Sequence, residues 1–373
     1  MSAARPSTPG IPGFLGSRIR IPQLVALGAL VLFLAGAPSV VDSFTLSQIL
    51  TKALWLGIAA ASLIFLSSYG GMISLGQTGI YAVAGFTMAN LVHAAGGKNL
   101  GWDPVAATAA GIAVGTAFGL LCGAIASRSY GIYFLMITLA ISVIVFYFFA
   151  QVTTLSGYGG IRSVTPPGLI GNSVSDPLPL YYTALLASAL VYLGIRYLAR
   201  APFGLALQGI RDDPARMQAL GFNVALHRAL AFGVGAFVAS IAGILSVWYT
   251  AQISPGGINV AQTINILVIA VIGGLYRLEG AWIGALVFAT IDNYSRVWMP
   301  NVGVWLGPER FETVIGLIFL VIVLASPGGL VGIWDNVWAM RKRQLGPLVA
   351  SGTSSAKAVN GDVDTPATVE SRR

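Results

Sequence analysis

The chain is 373 residues long, 56% hydrophobic and only 9% charged, whereas soluble domains carry about 25% charged residues, so a soluble globular protein is excluded. Its net charge of +8 is spread between apolar stretches and not gathered into a basic stripe, which argues against nucleic acid as a partner. The single cysteine, Cys122, rules out an internal disulfide and the paired-thiol spacing of zinc and redox centres.

A bilayer core of about 30 Å needs about 20 apolar residues per helix. That rule predicts ten spans, over residues 22–41, 49–68, 73–95, 104–126, 131–151, 180–198, 229–250, 262–275, 280–298 and 311–333, the eighth being short. With the N-terminus in the cytoplasm, all but Lys52, Lys98, Arg162, Arg296 and Arg310 of the 21 basic residues fall inside, and the positive-inside rule selects this orientation. The fold class is therefore all-α: a polytopic membrane protein of about ten transmembrane helices, some discontinuous, with both termini cytoplasmic. Residues 1–21 form a cytoplasmic N-terminal segment, 22–335 the transmembrane domain and 336–373 a cytoplasmic tail. From about Gly346 that tail lacks apolar periodicity and reads as disordered.

Arg18 and Arg20 before the first span, with Ala35-Gly36-Ala37 near its end, resemble a secretory signal peptide. Pro38 would directly follow the cut, however, and removing the segment would spoil the even span count. The third span opens with "GGMISLGQTGIYAVAGF", Gly70 to Phe86, which carries Ser74, Gln77, Thr78 and five glycines. Loosened backbone at that depth is tolerated only against protein or a watery cavity. The fourth span has Gly111, Gly115, Gly119 and Gly123 on one face, a spacing that lets a neighbouring helix approach closely, and packing within the subunit is favoured over a subunit interface.

Residues 152–179, dense in Gly, Pro and Ser, form the longest external connection, a turn-rich loop able to cap a pathway or meet an external partner. On the inner side, 201–228 is too polar to span. Asp212 or Asp213 suits an N-cap, Pro214 the first helical position and Gly221 the residue after the helix end, so a short cytoplasmic helix is expected. "GGLYRLEG", Gly273 to Gly280, interrupts the chain between spans eight and nine.

Enzyme chemistry has little to work with. His93 and His227 fall on opposite sides of the expected membrane, and the pair Asp212-Asp213 lacks a second acidic cluster for magnesium. "HAAGGKNLG", His93 to Gly101, has Gly97-Lys98, but Val92 replaces the leading glycine and Asn99 the Ser or Thr of a phosphate-binding loop. Asp292 is the one intramembrane acid suited to ion coupling, and Arg296 at i+4 makes a structural salt bridge the preferred reading.

Taken in order, "GGMISLGQTGIYAVAGFTMANL" at 70–91, "RSYGIYFLMITLA" at 128–140, the segment 201–243, "VIGGLYRLEGAWIGAL" at 271–286 and "SPGGLVGIW" at 326–334 resemble the LivM-type permeases of branched-chain amino acid ABC importers. The resemblance implies an inner-membrane permease that pairs with a second, similar permease and sits on two cytoplasmic ATPase subunits. It also implies that the chain receives an amino acid from an external binding protein. No cofactor is expected, ATP being used by the partner subunits.

It further implies that the internal loop acts as the ATPase coupling element, through Arg211, Asp212, Asp213, Arg216, Gln218, Gly221 and Asn223. The family pattern often has glutamate at Gln218 and alanines at Arg216 and Met217, a departure that bears on individual contacts. Discontinuous helices in transporters expose backbone to solute near the midplane, so Ser74, Gln77, Thr78, Gly79, Gly273 and Gly274 are expected to face the translocation pathway. The competing reading is that these polar groups bond neighbouring helices. Urea or a related amide is an alternative cargo, and an ion-coupled carrier an alternative class.

Overall fold

A computed structural model of the chain describes residues 34–39, 41–168, 170–171, 176–298, 316–317, 320 and 329–330. Most of the expected spans 22–41 and 311–333, the N-terminal segment and the tail lie outside these residues. The described helices are α1 (Lys52–Gly70), α2 (Gln77–Leu91), α3 (Pro104–Ala126), α4 (Ile132–Gln151), α5 (Leu178–Arg200), α6 (Pro202–Asp212), α7 (Pro214–Ala219), α8 (Val224–Thr250), α9 (Val260–Gly273) and α10 (Gly280–Trp298). Six segments among the described residues are long and apolar enough to cross a membrane: 43–70, 104–126, 132–151, 178–200, 224–250 and 255–273. The expected count of about ten is thus not reached within the described part.

Several boundaries shift. The span expected at 73–95 is a helix of 15 residues, Gln77–Leu91, because Gly71 adopts a left-handed φ of 65° that ends α1. The loop expected at 201–228 contains two helices, not one, and α8 starts at Val224, since the Asn223 side chain accepts from Leu226 N at 3.0 Å and caps it there.

α1 is apolar all round and central: every residue except Lys52 and Tyr69 is buried, as expected of a helix with no polar face. α8 runs alongside α1, α2 and α3, and α10 lies against α1 and α9. α3, α4 and α5 turn large apolar side chains outward, among them Leu121, Ile125, Met136, Leu186 and Leu190, a surface suited to lipid.

The glycines of α3 face inward. A Cβ at Gly111 or Gly115 would meet Ala84 of α2, and at Gly115, Gly119 and Gly123 it would meet Ser240, Ala236 and Phe232 of α8. Packing within the subunit is therefore what the stripe does, with van der Waals contact between backbones as the source of cohesion.

One end of the bundle carries the 201–223 loop. The opposite end carries a small antiparallel sheet, β1 (Ile161–Arg162) with β2 (Gln252–Ile253), in register Ile161 to Ile253. Ala95 bridges to Arg162 on its other side, and Val164 N donates to Ala251 O at 3.1 Å. These two regions are called the loop end and the sheet end.

Gly119→Val should force α3 away from Ala236 and lower stability by about 3 kcal/mol, the upper range for overpacking. Thermal unfolding of the detergent-solubilised protein reads this out. Gly194→Ala, in a helix interior where an added Cβ meets nothing within 4 Å, should not lower the midpoint, alanine being the better helix former.

Candidate functional site

Between α1 and α2 the backbone of residues 71–76 is not helical, and its polar groups need partners that lipid does not supply. α4 provides them. Leu75 N donates to Thr138 Oγ1 at 3.1 Å, Ser142 Oγ donates to Leu75 O at 2.9 Å, and Gly79 N donates to Ser142 Oγ at 3.2 Å. Ser74 Oγ accepts from Gly76 N at 3.1 Å. Gly76 and Gly79 lack side chains where α4 comes close: a Cβ at Gly79 would lie 3.1 Å from Ser142 Cα.

Ser74, Gln77, Thr78 and Gly79 are all buried in this protomer. Among the described residues the Gln77 amide has no hydrogen-bond partner at either end. It shares a helix face with Tyr81 and Ala84 at i+4 and i+7; Tyr81 bonds Ser246 of α8, and Ala84 meets the α3 glycines.

The second glycine break sits at the same end of the bundle. A Cβ at Gly273 would collide with the Gly280 carbonyl, and one at Gly284 with the Ile269 carbonyl, so α9 and α10 touch backbone to backbone. Gly273 and Gly274 are buried, the latter with φ 114°. Ser67 Oγ donates to Leu275 O at 3.0 Å and Ser68 Oγ to Tyr276 O at 3.1 Å. The last turn of α1 therefore joins both breaks. Glu279 in the α9–α10 turn accepts from Arg196 at 2.8 Å and Tyr192 at 2.9 Å of α5.

The loop meets that same turn. Arg211, at the end of α6, donates to Ser68 O and pairs with Asp212 at 2.8 Å, placing a cation at the carboxyl end of α1, where the helix dipole favours it. Asp213 caps α7 by accepting from Arg216 N at 3.0 Å, with Pro214 behind it, as the sequence predicts. Gly221 has φ 91°, the left-handed region expected at a helix end. Arg211, Asp212, Asp213, Arg216, Gln218, Gly221 and Asn223 are all exposed. Gln218, Gly221 and Asn223 also line a cavity of about 380 Å³ with Tyr130 and Phe222.

A second cavity, of about 250 Å³, lies between α4 and the start of α9. Val143, Phe146, Ile258 and Val260 form its apolar wall, and Ser142, Asn259 and Thr263 bring polar groups. Ser142 is thus shared between this groove and the α1–α2 break.

Asp292 pairs with Lys52 of α1 across the bundle, a partner other than the expected Arg296, whose side chain lies outside the described residues. No group of three His, Cys, Asp or Glu able to hold a metal occurs among the described residues.

Ser67, Ser68, Thr138, Ser142 and Arg228 were not predicted from the sequence as site residues. Thr138 and Ser142 stand four apart in an apolar helix, the spacing of two hydroxyls on one face, and that pattern is the signal they carry. Leu220 and Phe222, exposed on the polar loop, are apolar residues at a place where lipid does not explain them.

This arrangement of apolar, broken helices with hydroxyl-satisfied backbone is that of a helical membrane bundle. The family model for the branched-chain amino acid transport system permease component matches residues 45–324, and the chain belongs to that family as a LivM-type, multi-pass membrane protein. It is 27% identical over 347 residues to the high-affinity branched-chain amino acid permease protein LivM of Escherichia coli, covering 86% of this chain and 77% of the relative. It is 25% identical over 234 residues to the probable LivM of Methanocaldococcus jannaschii, 61% of this chain and 66% of that one. With LivH of Escherichia coli it shares 24% identity over 278 residues, 70% of this chain and 86% of that one. No solved structure matches.

Lys52→Met removes one cation from the buried Asp292 carboxylate and should cost up to about 3–5 kcal/mol. Combining it with Asp292→Leu should recover most of that loss, as a double-mutant cycle on thermal stability measures. A double variant as unstable as the single one would mean that the pair is not the source.

Proposed function

We propose that this chain is one of two permease subunits of an ATP-driven importer for branched-chain or related amino acids. The loop end is cytoplasmic and rests on the ATPase subunits. The sheet end faces an external binding protein, and both termini lie inside. The chain hydrolyses nothing itself, and the partners supply ATP turnover.

The observation that carries this reading is the 250 Å³ groove between α4 and α9, which abuts the α1–α2 break at Ser142. Its apolar wall suits an aliphatic side chain, whereas urea needs only the polar groups. Those groups are largely engaged already: Ser142 with Leu75 and Gly79, and Asn259 with Gln262 N at 3.0 Å. A solute would be held weakly here, with recognition left to the binding protein and the second permease closing the groove. Ser74, Gln77, Thr78 and Gly79 then form the deep wall of the pathway, reached when the 71–76 segment exchanges its bonds to α4, while Gly274, beside the fixed Gly273 crossing, lets the α9–α10 turn follow.

Water access tests the groove. With Cys122 replaced by alanine, a cysteine at Val143 should react with small polar thiol reagents, and leucine should slow that reaction in the assembled transporter. Reactive thiolate forms only where water stabilises it, so a cysteine at Leu190 on the exposed apolar face of α5 should stay inert. Equal reactivity at both positions, or no reaction at 143 in any nucleotide state, overturns the groove assignment.

Docking through the loop is tested at Gly221. An added Cβ there meets nothing within 4 Å, so Gly221→Val acts only through its strained backbone and should insert normally while losing co-purification with the ATPases and uptake. Normal uptake would remove the loop from the coupling role.

A further inference from the structure

We propose that Arg211 and Arg228 are positioning residues through which displacement of the 201–223 loop reaches the α1–α2 break. This inference rests on the reading of that loop as the ATPase docking element. Its basis is a convergence of two arginines, one from each flank of the loop, on residues 68–72.

Arg211 closes the first flank. Its guanidinium donates to Ser68 O, and its stem lies over Gly71, where an added Cβ would come within 2.6 Å of Arg211 Cγ. Gly71 thus lacks a side chain for two reasons, its left-handed φ of 65° and the arginine seated on it. Asp212, itself exposed, holds the guanidinium from the solvent side.

Arg228 enters from the second flank, in the first turns of α8. It is only 5% exposed. Its Nε donates to Met72 Sδ at 3.1 Å, its NH1 to Ser127 O at 2.9 Å, and the Tyr130 ring covers its face at 4.2 Å. Among the described residues no carboxylate pairs with it. A buried cation held, among the described residues, by a sulfur, a carbonyl, the Tyr130 side chain and the Phe134 ring but by no carboxylate is costly compared with an apolar residue of similar size. Stability alone does not account for its presence, whereas fixing Met72 to the ends of α3 and α4 does.

Between these two anchors α7 and the Gly221 turn are exposed and available to a partner. Tyr130, which covers Arg228, also lines the cavity beside Gly221 and Phe222. A shift of the loop therefore moves both ends of the 68–72 segment together. The next residues are the non-helical stretch held by Thr138 and Ser142, hydroxyls that exchange partners without leaving a charge exposed. Through Ser67 and Ser68 the same turn carries the α9–α10 break.

The test uses the complete transporter in liposomes, with both permeases, both ATPases and the binding protein, and records leucine uptake per ATP hydrolysed in the same vesicles. Arg211→Ala and Arg228→Met should each lower that ratio about tenfold, within the range of substitutions in coupling networks. Arg211→Lys should restore part of it, because an ammonium still reaches the Ser68 carbonyl. A spin label at Ile73, a 39% exposed position, should change mobility on ATP trapping in the parent and lose that response in Arg211→Ala. An unchanged ratio in stably inserted variants, or a label at 73 that still responds, overturns the proposal. A cysteine at Leu220 separates the two readings: failure to crosslink to the ATPases removes the docking role, whereas crosslinking with an unchanged ratio removes only the transmission.

Discussion

The last turn of α1 is the constraint on which the rest depends. A helix that ends buried within the bundle leaves carbonyls without partners, and each costs up to several kcal/mol unless protein supplies a donor. Here the donor to Ser68 O is Arg211, brought from the polar loop, and Gly71 N and Met72 N turn back to Ser67 O and Leu66 O at 3.2 and 3.0 Å. The hydroxyls of Ser67 and Ser68 then serve the next break, at Leu275 and Tyr276. A single helix end therefore fixes where the loop sits and where α9 and α10 meet.

Two kinds of contact divide the bundle. Along α3 the glycines bring backbone against α2 and α8, and close-packed surfaces of this sort have one arrangement and little slack. At the α1–α2 break the contacts are side-chain hydroxyls to backbone, individually modest in net energy and directional. The same contrast holds between the α9–α10 crossing, where Gly273, Gly280 and Gly284 touch carbonyls, and the turn beside it, where Glu279 gathers Arg196 and Tyr192. Motion is easier where bonds can be exchanged than where atoms must interpenetrate.

Much of this was legible in the sequence because it is local. Hydropathy located the described spans with some starts displaced, at 43, 224 and 255 against the expected 49, 229 and 262, the four-residue glycine period declared a packing face, and Asp213-Pro214 with Gly221 marked the ends of α7. The helix α6 was missed because its residues 202–212 are amphipathic without being apolar enough to span. The partners of the breaks could not be read, since Thr138 and Ser142 lie more than sixty residues from Leu75, and Lys52 is 240 positions from Asp292. Periodicity carries no information about which helices become neighbours, so Lys52 could not be read as a partner of Asp292.

Gln77 shows how the break is poised. Ser74 satisfies Gly76, and Ser142 satisfies Leu75 and Gly79, yet the amide between them has no partner among the described residues. A buried amide left unpaired raises the energy of the arrangement that holds it, by about 1–3 kcal/mol on protein scales and more in hydrocarbon. Any arrangement in which that amide meets a carbonyl, a water or the polar end of a solute is favoured by the same amount. The first turn of α2 is therefore a place in this bundle where a small displacement gains energy. It also lies directly beyond the residues that the loop arginines hold.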